Sequence, residues 1–260
     1  MPTALITGAS TGIGYALSRC FAADHHDLIL VARQEQKLHA VAEELRGTFG
    51  VSAHVIVADL AQPDAPRKLA DAVQANVLTV DFLVNNAGFG LGGSFTETAL
   101  AAELEMIQVN IASLVYLTKL FLPTMIERKS GRIMNVASTA AFQPGPFMAV
   151  YYATKAFVLS FSEAISNELS GTGVTVTALC PGPTASDFQA RANIQETRLV
   201  KSKLMGLMSA EAVAQIGYRG LLNGKRVVVP GLMNKMGVQG TRLTPRRLST
   251  QIARMLQENA

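Results

Sequence analysis

The chain has 260 residues, of which 49% are hydrophobic, and it carries a formal net charge of +4. This composition supplies a large core and excludes a disordered chain, while the scattered Lys and Arg residues argue against a nucleic-acid partner and suit a protein that binds small anions. The N-terminus lacks the features of a secretory signal, and no uninterrupted apolar run approaches the roughly 18 residues of a membrane span, so a soluble cytoplasmic protein is expected.

Neither the cysteines nor the histidines predict a bridge or a metal centre. Cys20 and Cys180 are too few for a disulfide framework, and their apolar neighbours suit buried thiols. The four histidines have no cysteine or carboxylate at metal-ligand spacing, so the sequence predicts no metal site.

Seven apolar, β-rich runs alternate with segments of helical periodicity. They occupy residues 4–7, 27–32, 53–58, 81–85, 132–137, 174–180 and 226–229. Runs such as LILVA lack polar alternation, as expected of strands that are covered on both faces. With right-handed crossovers, this pattern predicts a single doubly wound Rossmann domain over residues 1–260, in which helices flank both faces of a seven-stranded parallel sheet.

Two irregular stretches are predicted to be a substrate lid at residues 181–209 and a C-terminal tail at residues 230–260. Ser209 is a candidate N-cap for a helix that ends near Leu222. Thr244 and Pro245 have the residue types of an N-cap and a first helical position, so they predict a terminal helix.

A glycine-rich turn joins the first predicted strand to the first helix, with the spacing G-x-x-x-G-x-G. Glycines at this spacing also serve ordinary tight turns. The position between a strand and a helix, however, predicts that backbone N–H groups and the helix N-terminus bind a nucleotide pyrophosphate. The residues predicted to form this site are Gly8, Ser10, Thr11, Gly12, Ile13 and Gly14.

The end of the second strand indicates which dinucleotide binds. An acidic residue there holds the ribose 2′-OH of NAD, but this strand ends in Ala32 and Arg33. Arg33 offers a bidentate contact to a 2′-phosphate, with no carboxylate at Ala32 to oppose it. NADP(H) is therefore the predicted cofactor; the alternative is that Arg33 is an ordinary solvated charge.

Tyr151 and Lys155 are four residues apart in a segment of helical periodicity, so they share one helix face. Ser138 closes the fifth predicted strand, and Asn110 lies in the preceding helix. A tyrosine of ordinary pKa, about 10, is a poor proton shuttle at neutral pH. An ammonium about 4 Å away contributes roughly 4 kcal/mol of attraction, enough to bring the phenol pKa into a useful range for acid–base catalysis.

With these elements the chain resembles the short-chain dehydrogenase/reductase family, in its Tyr-Lys subgroup, over almost its whole length. The resemblance implies that Tyr151 is the acid/base, Ser138 binds the substrate oxygen and Lys155 holds the nicotinamide ribose. It also implies that Asn110 anchors a water that links Lys155 to solvent. The further cofactor contacts implied are Asp59, Leu60, Asn86, Ala87, Gly88, Pro181, Gly182 and Thr184.

Several aromatic residues and methionines fall in loops that this fold places at the open end of the cofactor site. They predict an adaptable apolar pocket, and the alternative is that they fill the core. Together with Ser138, the aromatic residues predicted to contact substrate are Phe89, Phe142, Phe147 and Phe188, and the methionines nearby are Met148, Met205 and Met208.

Three functions are compatible with these residues. The first is reduction of a free apolar ketone or aldehyde, or oxidation of the corresponding alcohol. The second is reduction of a 3-ketoacyl group on an acidic carrier protein or on CoA, with the cations Arg128, Lys129, Lys201 and Lys203 as candidate carrier contacts. The third, from another class, is an NADPH-binding sensor or scaffold without chemistry.

Many relatives in the family assemble through the helices that here span about residues 100–128 and 150–170. About thirty residues follow the last strand of this chain, which departs from relatives whose second interface uses the chain end. We therefore expect a homodimer through the long helices. An alternative role for the basic tail is contact with a membrane surface.

Overall fold

A computed structural model describes residues 1–185, 188–192, 194–198 and 207–258 of the chain. It contains a parallel sheet of seven strands, which in chain order are β1 Thr3–Thr7, β2 Asp27–Ala32, β3 Ala53–Val57, β4 Phe82–Asn85, β5 Gly131–Val136, β6 Val174–Leu179 and β9 Val227–Val228. Their order in the sheet is β3-β2-β1-β4-β5-β6-β9. The short strands β7 Thr184–Ala185 and β8 Met208–Ser209 form a separate pair. The predicted fold class is confirmed.

Helices connect the strands and cover both faces of the sheet. The first half of the chain contains α1 Gly12–Ala23, α2 Glu35–Phe49, α3 Ala65–Ala75 and α4 Leu100–Ile107, which continues through a π-helical stretch, Gln108–Ser113, into α5 Leu114–Glu127. The second half contains the 3₁₀ turn Thr139–Phe142, α6 Ala149–Glu168, α7 Phe188–Arg191, α8 Ala210–Leu222, α9 Leu232–Leu243 and α10 Arg246–Gln257.

Strand β1 shows why the strand sequences lack polar alternation. Ala4 and Ile6 pack into the core cluster beneath α1, α2 and α8, whereas Leu5 packs into the cluster on the other face, beneath α3 and α5. Successive side chains point to opposite faces of a strand, and both faces are buried here. Every position of β1 must therefore be compatible with burial.

The run Leu100–Glu127 is, within the ranges described, the one helical segment long and apolar enough to span a bilayer by length and composition. Core helices satisfy the same criteria. Here Leu117, Phe121 and Met125 pack against the sheet in the second core cluster. The segment serves the fold as a core helix, and its π-helical stretch carries Asn110.

The chain after residue 230 is more regular than the sequence analysis predicted. Ser209 caps α8 as expected, because its hydroxyl accepts a hydrogen bond from the Ala212 amide. Thr244 instead ends α9 by donating its hydroxyl to the carbonyl of Gly240, and α10 begins at Arg246, after Pro245. The tail thus forms two helices rather than one.

Candidate active site

A cleft of about 950 Å³ opens at the carboxyl ends of the central strands, where the sheet order reverses between β1 and β4. Open α/β sheets bind ligands at this kind of switch point. The volume is near the upper end of the range for small-molecule sites, as expected where two ligands share one cleft. Its lining includes most of the predicted cofactor residues: Gly8, Ser10, Thr11, Gly12, Ile13, Arg33, Asp59, Leu60, Asn86, Ala87, Gly88, Tyr151, Lys155, Pro181, Gly182 and Thr184.

The glycine loop has the backbone shape that a phosphate cradle requires. Gly8 and Gly12 have φ angles of +66° and +57°, a region that favours glycine, and α1 begins at Gly12. Asn86 fixes the loop, since its side-chain amide donates to the carbonyls of Thr7 at 2.9 Å and Gly8 at 3.2 Å. The loop is therefore held open for a ligand by side-chain contacts from the end of β4.

Gly14 lies outside the cleft lining, unlike the other glycines of the loop. It is buried, and a Cβ built on it would lie 2.1 Å from the carbonyl oxygen of Gly8. A side chain does not fit at this position, because the first turn of α1 packs directly on the loop. Gly14 thus packs behind the loop and is not among the residues that line the cleft.

Arg33 lies at the rim of the cleft, where the structure keeps its guanidinium accessible. Its side chain is 57% exposed, and Nη1 lies 3.8 Å from the carboxylate of Asp59 and 3.5 Å from that of Glu105. Both carboxylates are themselves exposed, so these ion pairs are weak and can yield to a phosphate. The residues present fit a 2′-phosphorylated dinucleotide: a cation at the end of β2 and glycine backbone amides beside a helix N-terminus.

Ser138, Tyr151 and Lys155 meet on the floor of the cleft. The Lys155 ammonium donates a 2.8 Å hydrogen bond to the carbonyl of Val136 and lies 5.8 Å from the centroid of the Tyr151 ring. Burial lowers the pKa of Lys155 to about 8, because a charged ammonium is poorly solvated there. The sheet and α6 together hold this lysine under the tyrosine ring.

The pKa of Tyr151 differs from the sequence expectation. Burial raises it above the ordinary value for tyrosine, and a hydrogen bond with Ser138 offsets part of that rise. Desolvation of the phenolate therefore outweighs charge stabilisation in the protein alone. Lys155 is oriented toward Val136 instead of the phenol oxygen, which explains why the expected lowering is not seen.

Asn110 lies behind the cleft wall, in the π-helical stretch. Its side chain accepts from the amide of Phe89 at 3.1 Å and donates to the carbonyl of Phe89 at 3.0 Å. It also donates to the hydroxyl of Thr154, next to Lys155 in sequence. Asn110 thus fixes the loop after β4 against α6, and π-helical irregularities commonly occur at functional sites.

The predicted substrate aromatics divide into two groups. Phe89 and Phe188 line the cleft, and the Phe188 ring lies 5.3 Å from that of Tyr151. Phe142 instead lines a separate shallow depression, and Phe147 packs under the guanidinium of Arg254 at 5.1 Å. Phe142 and Phe147 are therefore not among the residues that line the cleft, although Thr139, Ala140 and Gln143 beside Phe142 do line it.

The two described methionines predicted near the open end of the cofactor site lie in different places. Met148 lines the cleft, whereas Met208 packs against the main core. Met205, Lys201 and Lys203 lie outside the described residues, as does part of the predicted lid.

The C-terminal tail contributes to the cleft, which the sequence did not predict. Helices α9 and α10 fold back over the cleft and line its outer wall with Met233, Asn234, Val238, Thr241, Ser249, Ile252, Leu256 and Gln257. Gln257 donates to the hydroxyl of Tyr152 at 2.8 Å, which fixes the end of α10 against α6. The spacing of Ser249, Ile252, Ala253 and Leu256 is that of one helix face, a signal present in the sequence.

Comparisons with known proteins agree with this geometry. A sequence profile of the family described as short chain dehydrogenase matches residues 2–197. The chain is 32% identical over 227 residues to ketoacyl reductase HetN of a Nostoc species, covering 87% of this chain and 77% of that protein. It is 37% identical over 179 residues to the NADP-dependent 3-hydroxy acid dehydrogenase YdfG of Escherichia coli K12, covering 68% and 71%.

A solved structure extends the similarity to almost the whole chain. The short-chain dehydrogenase of Sphingobium yanoikuyae, determined in complex with NADPH, is 32% identical and superposes with a TM-score of 0.83. The match covers 94% of each chain.

Proposed function

The chain belongs to the short-chain dehydrogenase/reductase family, and on that basis we propose that it reduces an apolar ketone or aldehyde with NADPH. That it is an NADP-dependent oxidoreductase acting on CH–OH groups follows from the family, the NADPH-bound structural neighbour and the NADP-dependent relative. The observation that carries the substrate proposal is the cleft itself, in which Tyr151 lies beside Phe188 and beneath an outer wall of α10 that includes Ile252 and Leu256.

NADPH, when bound, supplies the hydride that adds to the carbonyl carbon. The glycine loop and the N-terminus of α1 would hold its pyrophosphate, and Arg33 its 2′-phosphate. Asn86 keeps the loop in that shape through its bonds to Thr7 and Gly8. These contacts would position the cofactor at the carboxyl ends of the strands.

Tyr151 donates the proton that converts the developing alkoxide into an alcohol. Ser138 lines the cleft beside Tyr151, where it lowers the pKa of the phenol, and its hydroxyl would bind the substrate oxygen. The phenol is protonated at neutral pH and can donate, but burial raises its pKa and makes it a weaker acid in the protein alone. Lys155 supports this role from beneath, as a buried cation whose charge favours the phenolate left after proton transfer.

The direct test is turnover by the purified protein. We expect oxidation of NADPH in the presence of bulky apolar ketones, with a kcat/KM well above that for short polar carbonyl compounds. Equal kcat/KM values for both groups would contradict an apolar pocket. NADH should support the reaction poorly, because it lacks the phosphate that Arg33 binds.

The second candidate is reduction of a 3-ketoacyl group on a carrier protein or CoA, favoured by the similarity to HetN. Two of the cations considered for carrier binding do not support it. Arg128 donates to the carbonyl of Val80 and pairs with Asp81, just before β4 begins, and Lys129 follows it at the same edge. That edge is opposite the cleft. Assays with acetoacetyl-CoA and with a carrier-linked ketoacyl group would separate the two candidates.

We also propose that the protein is a homodimer. Two neighbouring helical segments expose apolar side chains. They are Leu100, Leu104, Ile107 and Tyr116 on the run from α4 to α5, and Phe157 on α6. Exposed apolar side chains on neighbouring helices suit burial against a second copy. The proposal is tested by the mass of the protein in solution.

A further inference from the structure

The inner face of α10 carries two buried polar groups that lack partners, on residues that line the cleft. Within the described part of the chain, Ser249 Oγ and Gln257 Oε1 are buried atoms with no hydrogen bond. Both side chains belong to cleft-lining residues, and Ser249 and Gln257 are only 5% and 6% exposed. Buried polar atoms are normally hydrogen-bonded, because removal from water without a new partner is unfavourable.

The surroundings of Gln257 explain why it stays in place. Its amide nitrogen donates to Tyr152 Oη at 2.8 Å, and Tyr152 is itself buried, with its ring 6.1 Å from the ring of Tyr151. The Gln257 amide is thus fixed on the residue next to the proposed proton donor. Reversing the amide would exchange oxygen and nitrogen, but one polar atom would still lack a partner.

Between the two polar ends, the same face of α10 is apolar. Ile252 and Leu256 line the cleft, and Ala253 is buried behind them. Ser249 and Gln257 are eight residues apart, so they stand about 12 Å apart along the helix at 1.5 Å per residue. A wall of this kind matches an elongated apolar molecule that carries a polar group away from its reacting carbon.

We propose that Gln257 is a specificity-determining residue, which hydrogen-bonds a hydroxyl group of the substrate distant from the carbonyl that is reduced. A hydroxyl fits because it can donate to Oε1 and can also accept, so it satisfies Gln257 in either orientation of the amide. Ser249 offers a second contact at the other end of the wall. This inference rests on the proposed reduction of an apolar carbonyl and specifies its substrate class as hydroxylated apolar ketones.

The test compares 2-decalone with its monohydroxylated analogues, which share one carbon skeleton. In the wild-type protein with NADPH, at least one hydroxylated ketone should have a kcat/KM about tenfold or more above that of 2-decalone, because an unpaired site rejects the analogue that lacks the hydroxyl. In Gln257→Leu this preference should disappear, so that the ratio of kcat/KM for the hydroxylated ketone to that for 2-decalone falls to about one. Gln251→Leu, on the exposed face of α10, is the matched control and should retain the preference.

Two further measurements keep the result unambiguous. Thermal melting must show that Gln257→Leu is folded; if it is not, Tyr152→Phe, which removes the hydroxyl that holds the amide, should reduce the preference instead. Calorimetric titration of the same ketones into the NADP⁺-loaded protein separates binding from turnover. Binding that depends on Gln257 without turnover would support the hydroxyl site and overturn the proposed reduction.

Three results would overturn the hydroxyl site. The first is turnover of all the ketones without a preference, and the second is a preference that survives in both Gln257→Leu and Tyr152→Phe. The third is the absence of both binding and turnover, which would also overturn the proposed reduction.

Discussion

The ammonium of Lys155 donates a hydrogen bond of 2.8 Å to the carbonyl of Val136, the last residue of β5. The lysine is 5% exposed, and its pKa falls to about 8 because burial disfavours the charged form. This contact joins α6 to the central sheet at the floor of the cleft. Lys155 is therefore a buried charge. Its desolvation disfavours folding, and its proposed benefit is catalytic.

We therefore expect Lys155→Met to lose most activity and yet to be more stable than the wild type at neutral pH. The folded pKa, about 8, is below the ordinary value of 10.5, so the unfolded chain binds more protons between these values. The wild type should consequently gain stability as pH rises from about 8 to 10.5, and the advantage of the variant should shrink. Thermal melting of the cofactor-free proteins across this range measures it; a constant difference would contradict the prediction.

Tyr151→Phe removes the proton donor and preserves the shape of the ring. We expect kcat to fall by about 10² to 10⁴-fold, the usual contribution of general acid–base catalysis. NADPH binding should be unchanged, as measured by fluorescence titration. Tyr116→Phe, which alters a half-exposed tyrosine on α5, serves as the control and should retain full activity. A protein that acts as a sensor would keep its function in both variants.

Arg33→Ala should weaken NADPH selectively. A hydrogen bond to a charged group contributes about 1.5–3 kcal/mol, so the KM for NADPH should rise roughly tenfold to a hundredfold, with little change for NADH. Arg67→Ala is the control. Arg67 is a cation of similar exposure on α3, where it pairs with Asp71. If both cofactors are affected equally, Arg33 does not bind the 2′-phosphate.

Two helical glycines should respond to alanine in opposite directions. Gly14→Ala places a Cβ 2.1 Å from the Gly8 carbonyl oxygen, so it should destabilise the protein and impair cofactor binding. Gly47→Ala, in α2, meets no atom within 4 Å and should stabilise the protein by up to about 1 kcal/mol, the difference in helix propensity. Urea unfolding measures both; similar values would show that the packing of α1 on the loop tolerates a methyl group.

Leu104→Arg combined with Phe157→Arg should produce a monomer. Both side chains are exposed on the face proposed for dimerisation, and a charge there would be buried without a partner. Light scattering should give twice the chain mass for the wild type and one chain mass for the double variant. A wild-type mass of four chains would refute the proposed dimer.

The sequence alone determined the fold and the positions along the chain where chemistry resides. Strands such as β1 require apolar residues on both faces, and a glycine loop needs left-handed backbone at Gly8, so both features are local and visible in the sequence. Ser138, Tyr151 and Lys155 follow from the same kind of pattern, since each belongs to a strand end or to one helix face.

Only the tertiary structure decided how these parts face one another. Phe142 and Phe147 lie near the cleft in sequence but point elsewhere, and Lys155 is directed to a strand carbonyl instead of the phenol. The tail closes the substrate side of the cleft, through contacts such as Gln257 with Tyr152, 105 residues apart. Periodicity shows which face of a helix is buried, but the partner of that face depends on long-range packing, which no local pattern encodes.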